Sequence, residues 1–290
     1  MLDFPAKFSA DPSVSQTMIP AKIYNSSLRP PPMIEELREL IRYKDLVGQL
    51  ISKGIKTRYK RSFLGVAWTM LQPLLTMIVL TLVFSSIFQF SNSEYALYVL
   101  SGIIVWGFFA QSTTAATGDL LWSGGLISKV PVPKSVFAVS AVGIALINLF
   151  LALLVYVLIA FVLGIHLQSA VLLLPIPIVL LGLFGLGVGL VVSAGAVYFP
   201  DVLPTYEILL VVWMYLTPVI YPIEILPESV QNLIRFNPLF HLMQPFRAIL
   251  VEGRPPSVES LLISGSFALA ALFAGWWLFT RKARDFAYRL

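Results

Sequence analysis

Cysteine is absent from this 290-residue sequence, and histidine occurs only at His166 and His241. Without thiols there are no disulfides and no thiolate metal sites, and two distant histidines form no ligand cluster, so no metal is expected. Charge is scarce as well, at 12% Asp, Glu, Lys and Arg against 58% hydrophobic residues. That balance excludes an ordinary soluble domain and identifies an integral membrane protein. In a soluble chain the net charge of +5 would suggest a nucleic-acid partner. Here the cations gather near the chain ends, which is a topology signal, and no nucleic acid is expected. An N-terminal apolar h-region is missing too. Residues 1–32 carry Pro5, Pro12, Pro20 and the run Pro30 to Pro32, so no signal peptide is expected, and this stretch reads as a disordered cytoplasmic tail.

Several kinds of chemistry are missing from the chain. Gly54-Ile55-Lys56-Thr57 has the outline of a phosphate loop, but Lys does not follow the Gly and no Gly stands five residues earlier. Gly182, Gly185, Gly187 and Gly189 lie inside a continuous apolar run, where Gly185 and Gly189 predict a close helix-packing face rather than a dinucleotide loop. No carboxylate pair is concentrated anywhere, which disfavours hydrolysis and glycosyl transfer. Glu94, Asp119 and Glu207 fall near the ends of apolar runs and read as structural. Ion-coupled carriers need intramembrane ionisable groups, and the middles of the runs have none, so the energy for any transport must come from another subunit.

What is present is organised around Lys53 to Leu75. Lys53, Lys56, Arg58, Lys60 and Arg61 form a cationic segment that turns apolar at Phe63, and no charge follows until Glu94. Upstream, Ile34, Leu37, Ile41, Val47, Leu50, Ile51 and Ile55 recur at helical spacing. They predict an amphipathic helix over 33–62, lying on the inner membrane face or packed on another subunit. Six apolar runs follow, near 63–89, 96–121, 136–163, 170–197, 205–221 and 258–280. Each is read as a spanning helix, giving an all-α membrane fold over 63–285. With six spans the ends share one side. Only Arg235, Arg247 and Arg254 of the 20 Lys and Arg residues then fall opposite, so both termini are expected in the cytoplasm.

Two connections stand out. Residues 122–135 end one helix at Gly124-Gly125, carry Leu126, Ile127 and Val130, and stop at Pro131 and Pro133. This is a small helix that either docks in a partner's groove or rests on the membrane surface. Residues 222–257 alternate apolar residues with breakers. Pro227 and Asn237-Pro238 predict two short helices, 227–236 and 238–251, dipping into the outer leaflet. Aromatic residues including Trp106, Phe108, Phe109, Tyr198, Trp213 and Tyr215 either anchor at the membrane interface or face inward and stack on sugar rings.

These pieces carry a resemblance. Ile55-Lys56-Thr57-Arg58-Tyr59-Lys60-Arg61-Ser62-Phe63-Leu64-Gly65 with Trp68 and Leu71-Gln72-Pro73-Leu74 resembles the approach to the first span in permease subunits of ABC-2-type polysaccharide exporters. Ser101-Gly102-Ile103 with Trp106 and Phe108-Phe109, the Lys129 to Pro133 link, Tyr198-Phe199-Pro200-Asp201-Val202, Thr217-Pro218-Val219-Ile220-Tyr221 and Asn237-Pro238-Leu239 are similar in order over about 33–285. Pro200 stands where the family often has Arg. The resemblance implies a homodimer working with two cytoplasmic ABC ATPase subunits that bind ATP and Mg. The substrate would be a polyprenyl-pyrophosphate-linked glycan of the O-antigen, capsule or teichoic acid type, moved across the bacterial inner membrane. It further implies a coupling helix at 123–134 (Leu126, Ile127, Ser128, Lys129, Val130, Pro131), an interface helix at 33–60 and gate helices at 222–251. Lys56, Arg58, Lys60 and Arg61 are candidate pyrophosphate contacts. The rival is an integral membrane glycosyl- or acyltransferase, disfavoured by the missing acid or nucleophile.

Overall fold

The computed structural model describes residues 31–60, 65, 67–88, 91–127, 132–166, 168–283 and 285–289, and every described element is helical or irregular. The helices are α1 (Pro32–Arg42), α2 (Lys44–Tyr59), α3 (Ala67–Phe84), α4 (Asn92–Trp122), α5 (Gly124–Ile127), α6 (Ser135–Val162), α7 (Pro175–Tyr198), α8 (Val202–Tyr215), α9 (Glu228–Ile234), α10 (Pro238–Leu250), α11 (Val258–Lys282) and α12 (Phe286–Arg289).

The spine is α4. Ser91 and Glu94 close its N-terminus with a capping box, the Ser91 hydroxyl accepting from the Glu94 N–H while the Glu94 carboxylate accepts from the Ser91 N–H. Its 31 residues reach about 46 Å at 1.5 Å per residue, more than a hydrocarbon core. Hydroxyls along α4 are satisfied within the helix: Thr113 donates to the Phe109 carbonyl at 2.9 Å and Thr117 to Thr113 at 3.0 Å. A polar side chain can therefore sit in an apolar environment without an orphaned donor.

Small residues set how the other spans approach. Gly185 of α7 lies against Ser112 and Phe108, and Gly189 against Ala116 and Thr113, so this glycine pair packs on α4 as its spacing predicts. On the opposite side of α7, a Cβ on Gly275 of α11 would fall on the Gly187 carbonyl, and one on Gly187 would fall on the Ala271 carbonyl. The two backbones touch there, and α7 is clamped between α4 and α11. The amphipathic segment uses the same device, with Ile51 of α2 over Gly143 of α6 and Ile144 of α6 over Gly54. By contrast, among the described residues α3 packs mainly on α4 and α6. It leaves Leu75, Val79, Leu82 and Val83 bare.

Among the described residues five helices are long and apolar enough to span: α3, α4, α6, α11 and the segment Ser169–Tyr198, which begins with a 3-10 turn before α7. The expected run at 205–221 departs from this. Its helix α8 has 14 residues, about 21 Å, too short for the hydrocarbon core. Pro218 has no N–H to continue the ladder, and residues 216–222 leave helical form. The amphipathic segment expected as one helix over 33–62 is two, separated at Tyr43. The short helices expected at 227–236 and 238–251 are present as α9 and α10.

Candidate functional site

Three groups of residues carry the chemistry. At the end of the bundle where α6 starts, α1 and α2 are fastened to the spans. Glu36 of α1 accepts from the Ser135 N–H at 3.0 Å and from its hydroxyl at 2.8 Å, capping α6 from a distant part of the chain. Trp276 of α11 donates its indole N–H to the Met33 carbonyl at 3.1 Å. Partial burial, then the neighbouring Glu36 and Glu35, push the Glu39 carboxyl above its ordinary value. Ile34, Leu37 and Ile41 form an uncovered apolar stripe on α1. On α2, Lys53, Lys56 and Lys60 share a shallow exposed groove with Gln49 and Thr57. The Arg58 side chain and Arg61, which complete the candidate pyrophosphate set, lie outside the described residues. Of the coupling set, the backbone of Leu126 and Ile127 falls in α5. Their side chains and Ser128, Lys129, Val130 and Pro131 lie outside the described residues.

The second group is a cleft of about 560 Å³ between α3, α4 and α6. Thr69, Gln72 and Thr76 line it from α3, Trp106, Phe108 and Gln111 from α4, and Asn148 from α6. The Asn148 side-chain amide donates to the Gln111 amide oxygen at 3.1 Å. Trp106 and Phe108, two of the candidate path aromatics, therefore border this cleft. The other four sit elsewhere. Phe109 is fully buried, stacked on Phe184 at 5.5 Å and edge-on to Trp213 at 5.2 Å. It is a core residue, because its face of α4 meets α7 and α8. Trp213 is half-buried and gives its indole N–H to Asn237 at 2.9 Å. Tyr198 donates to the Asp285 carboxylate at 2.7 Å, and the Arg289 guanidinium lies 4.3 Å from its ring, so it holds the C-terminal helix α12. Tyr215 is exposed at the end of α8.

The third group surrounds the unwound segment 216–222, at the opposite end of the bundle from α1. Its carbonyls accept from side chains on two neighbouring helices. Tyr95 of α4 donates to Ile220 at 2.7 Å and Tyr98 to Tyr221 at 2.9 Å, while Asn237 donates to Leu216 at 3.2 Å. Arg247 of α10 donates one Nη2 to both the Pro218 and the Val219 carbonyl. Its guanidinium lies 4.0 Å from the Tyr98 ring centroid. Arg247 is buried, which pulls its pKa down from the ordinary guanidinium value. Gly102 of α4 lets this segment in, since a Cβ there would stand 2.6 Å from the Val219 carbonyl oxygen. The Ser101-Gly102 and Thr217-Pro218-Val219 motifs thus meet in space. Irregular backbone at membrane depth is tolerated when protein groups satisfy it, and here five side-chain bonds do so. Tyr156 of α6 ties the same region down by donating to the Leu250 carbonyl at 2.8 Å.

The sequence profile of the ABC-2 type transporter family matches residues 45–251, a stretch that contains the cleft, the unwound segment and Arg247. The chain belongs to the ABC-2 type transporter family. Similarity to individual members extends further. An O-antigen export system permease protein RfbA of Myxococcus xanthus is 30% identical over 257 residues, covering 88% of this chain and 99% of that protein. Its Klebsiella pneumoniae counterpart is 26% identical over 72% of this chain and 81% of its own length. The polysialic acid transport protein KpsM of Escherichia coli is 24% identical over 82% and 94%. The matched region also contains nearly all of α2, the link after α4 and the α9–α10 pair.

Arg247 was not singled out from the sequence beyond its place in the cation count. Gln72 is marked in the sequence only within the Leu71-Gln72-Pro73-Leu74 motif, and Gln111 and Asn148 belong to no motif, although an isolated amide in an apolar run is a readable signal of a helix–helix bond or a lined cavity.

Proposed function

We propose that this chain is the membrane-embedded permease subunit of an ABC exporter that moves polysaccharide of the O-antigen or capsule type across the bacterial inner membrane. The observation that carries this reading is the 30% identity that runs through 99% of an O-antigen export permease. ATP, with Mg, is bound and hydrolysed by two separate ATPase subunits. The interiors of α3, α4, α6, α7 and α11 contain no Asp, Glu, Lys, Arg or His, so none of these five helices offers a group to exchange a coupling ion.

In this reading two copies of the chain assemble with the bare face of α3 beside the path. The chain crosses the membrane six times, with α8 and residues 216–222 together making the fifth crossing. Both termini are cytoplasmic, as the distribution of Lys and Arg favours. The ATPases engage α5 and the link after it, together with the α1–α2 pair. Because Glu36 caps α6 directly after that link, movement of the ATPase-facing surface would reach α1 and α6 together. Lys53, Lys56 and Lys60, with Arg58 and Arg61, attract the pyrophosphate of a polyprenyl-linked glycan. At the other end α9, α10 and the segment they hold form the gate. The test is genetic. Cells lacking the chain accumulate the glycan in the cytoplasm, and the chain with its ATPase restores surface glycan. Surface glycan undiminished by the deletion would contradict the assignment.

A further inference from the structure

The cleft between α3, α4 and α6 contains chemistry that a spanning bundle does not need for its own stability. We propose that it is a binding subsite for an uncharged, hydroxyl-bearing sugar unit of the exported polymer, an inference that rests on the polysaccharide-export reading above. Three observations set the ligand class.

The first is the kind of polar group. Carboxamides come from three different helices, Gln72, Gln111 and Asn148, with the Thr76 hydroxyl beside them. The Gln72 side-chain amide makes no hydrogen bond among the described residues, and its helix, α3, is otherwise an apolar span. An amide carries two donors and an acceptor oxygen, which matches a sugar hydroxyl that both gives and receives. A lipid chain in the same place would leave the Gln72 amide desolvated at about 1–3 kcal/mol.

The second is charge. Among the described residues no Asp, Glu, Lys, Arg or His lines the cleft, so a pyrophosphate or an acidic sugar finds no counter-charge among them. The ligand matched by this lining is neutral. The cationic groove on α2 and this cleft therefore divide the substrate between them, one suited to the charged lipid headgroup and the other to the glycan.

The third is shape. Trp106 and the exposed Trp68 border the same volume as the amides. Amides that bond hydroxyl edges beside indoles that accept C–H faces are the two halves of sugar recognition. A cleft of about 560 Å³ falls in the range of small-ligand sites, about 300–1,000 Å³. Pro73 within α3 also lines it. That proline removes one N–H from the ladder at this depth and restricts the local backbone, so the wall of the cleft is pre-shaped.

The test uses the assembled exporter, permease with ATPase, in membranes that supply its glycan. A photoreactive benzoyl-phenylalanine replaces Gln72, and a control probe replaces Val79 on the bare face of α3. Export is scored for the parent, Gln111→Leu and Asn148→Leu complexes. Illumination during export is expected to attach glycan at position 72 more strongly than at 79. Each Leu variant should export about three- to tenfold more slowly at limiting glycan, the effect of losing one hydrogen-bonding group. Adducts at position 72 with phospholipid alone, or with the second copy alone, would overturn the proposal. So would Leu variants that assemble and export at the parent rate. Failure of the parent complex to move any glycan would instead overturn the export reading itself, and the parent arm separates the two results.

Discussion

Replacing Arg247 with Leu should loosen the end of the bundle that holds residues 216–222. In the parent, one guanidinium nitrogen serves two carbonyls of the unwound segment and its positive charge rests on the Tyr98 ring. Removal leaves the Pro218 and Val219 carbonyls in a buried site without a donor, at about 1–3 kcal/mol each. It also removes a cation–ring contact of about 0.5–2 kcal/mol. Eliminating a buried charge returns part of this through the desolvation it no longer suffers. The net shift is on the order of 2–4 kcal/mol toward displacement of residues 216–222. At 1.4 kcal/mol per factor of ten, that is roughly a 30- to 1,000-fold larger open population. The chain contains no cysteine, so a single Val219→Cys substitution gives a clean reporter. Val219 is 1% exposed, and in the parent it should react slowly with a membrane-impermeant maleimide added from outside. Adding Arg247→Leu should speed labelling by at least tenfold. Arg247→Lys should fall between, because an ammonium keeps the charge but not the planar fork. Labelling of the Arg247→Leu protein within twofold of the parent would refute the reasoning.

Other substitutions test the remaining contacts. Gly275→Leu places a side chain onto the Gly187 carbonyl and should cost at least about 1–3 kcal/mol, read as a lower melting temperature in detergent; an unchanged melting temperature would refute the α7–α11 clamp. Gly102→Val should displace the segment over it, since even a Cβ stands 2.6 Å from the Val219 carbonyl oxygen, and should raise Val219→Cys labelling as Arg247→Leu does. Glu36→Ala removes the acceptor for Ser135 and should weaken the start of α6 by about 1 kcal/mol, visible as faster amide exchange at the first turn of α6 and in α1. The raised Glu39 pKa gives docking of α1 a pH dependence. Its contribution is complete below the ordinary glutamate value and is lost as pH rises through the raised value. Amide exchange in α1 should therefore slow on acidification through that window, and Glu39→Gln should flatten the response.

The spans were legible where they depend on length and local composition. Asn237 before Pro238 announced a helix start that the structure contains as a cap, whereas the cap made by Ser91 and Glu94 starts α4 a few residues before the apolar run at 96–121. Gly185 and Gly189 announced a close packing face because four residues return a helix to the same side. The run at 205–221 is helical only to Tyr215 although its apolar character continues further, because the groups that hold the unwound part, Tyr95, Tyr98 and Arg247, are remote in sequence. The break at Tyr43 is likewise a tertiary effect. No proline or glycine marks it, yet α1 must meet Ser135 and Trp276 while α2 lies along α6. Aromatics could not be sorted because a helix buried on most sides has no polar face to orient it. Phe109 in the core and Phe108 at the cleft are therefore neighbours that sequence treats alike. Gln111 and Asn148 carry no charge, so the scarcity of intramembrane ionisable groups does not mark the amides that line the cleft.

The central claim, ATP-driven export of glycan through this chain, is tested most directly in proteoliposomes holding the permease with its ATPase and a radiolabelled lipid-linked glycan. The account predicts that glycan reaches the opposite compartment only when ATP and Mg are supplied on the ATPase side, at a rate that dissipating the proton gradient leaves unchanged. Transfer that proceeds without the ATPase, or that stops when the proton gradient is dissipated while ATP remains, would contradict it.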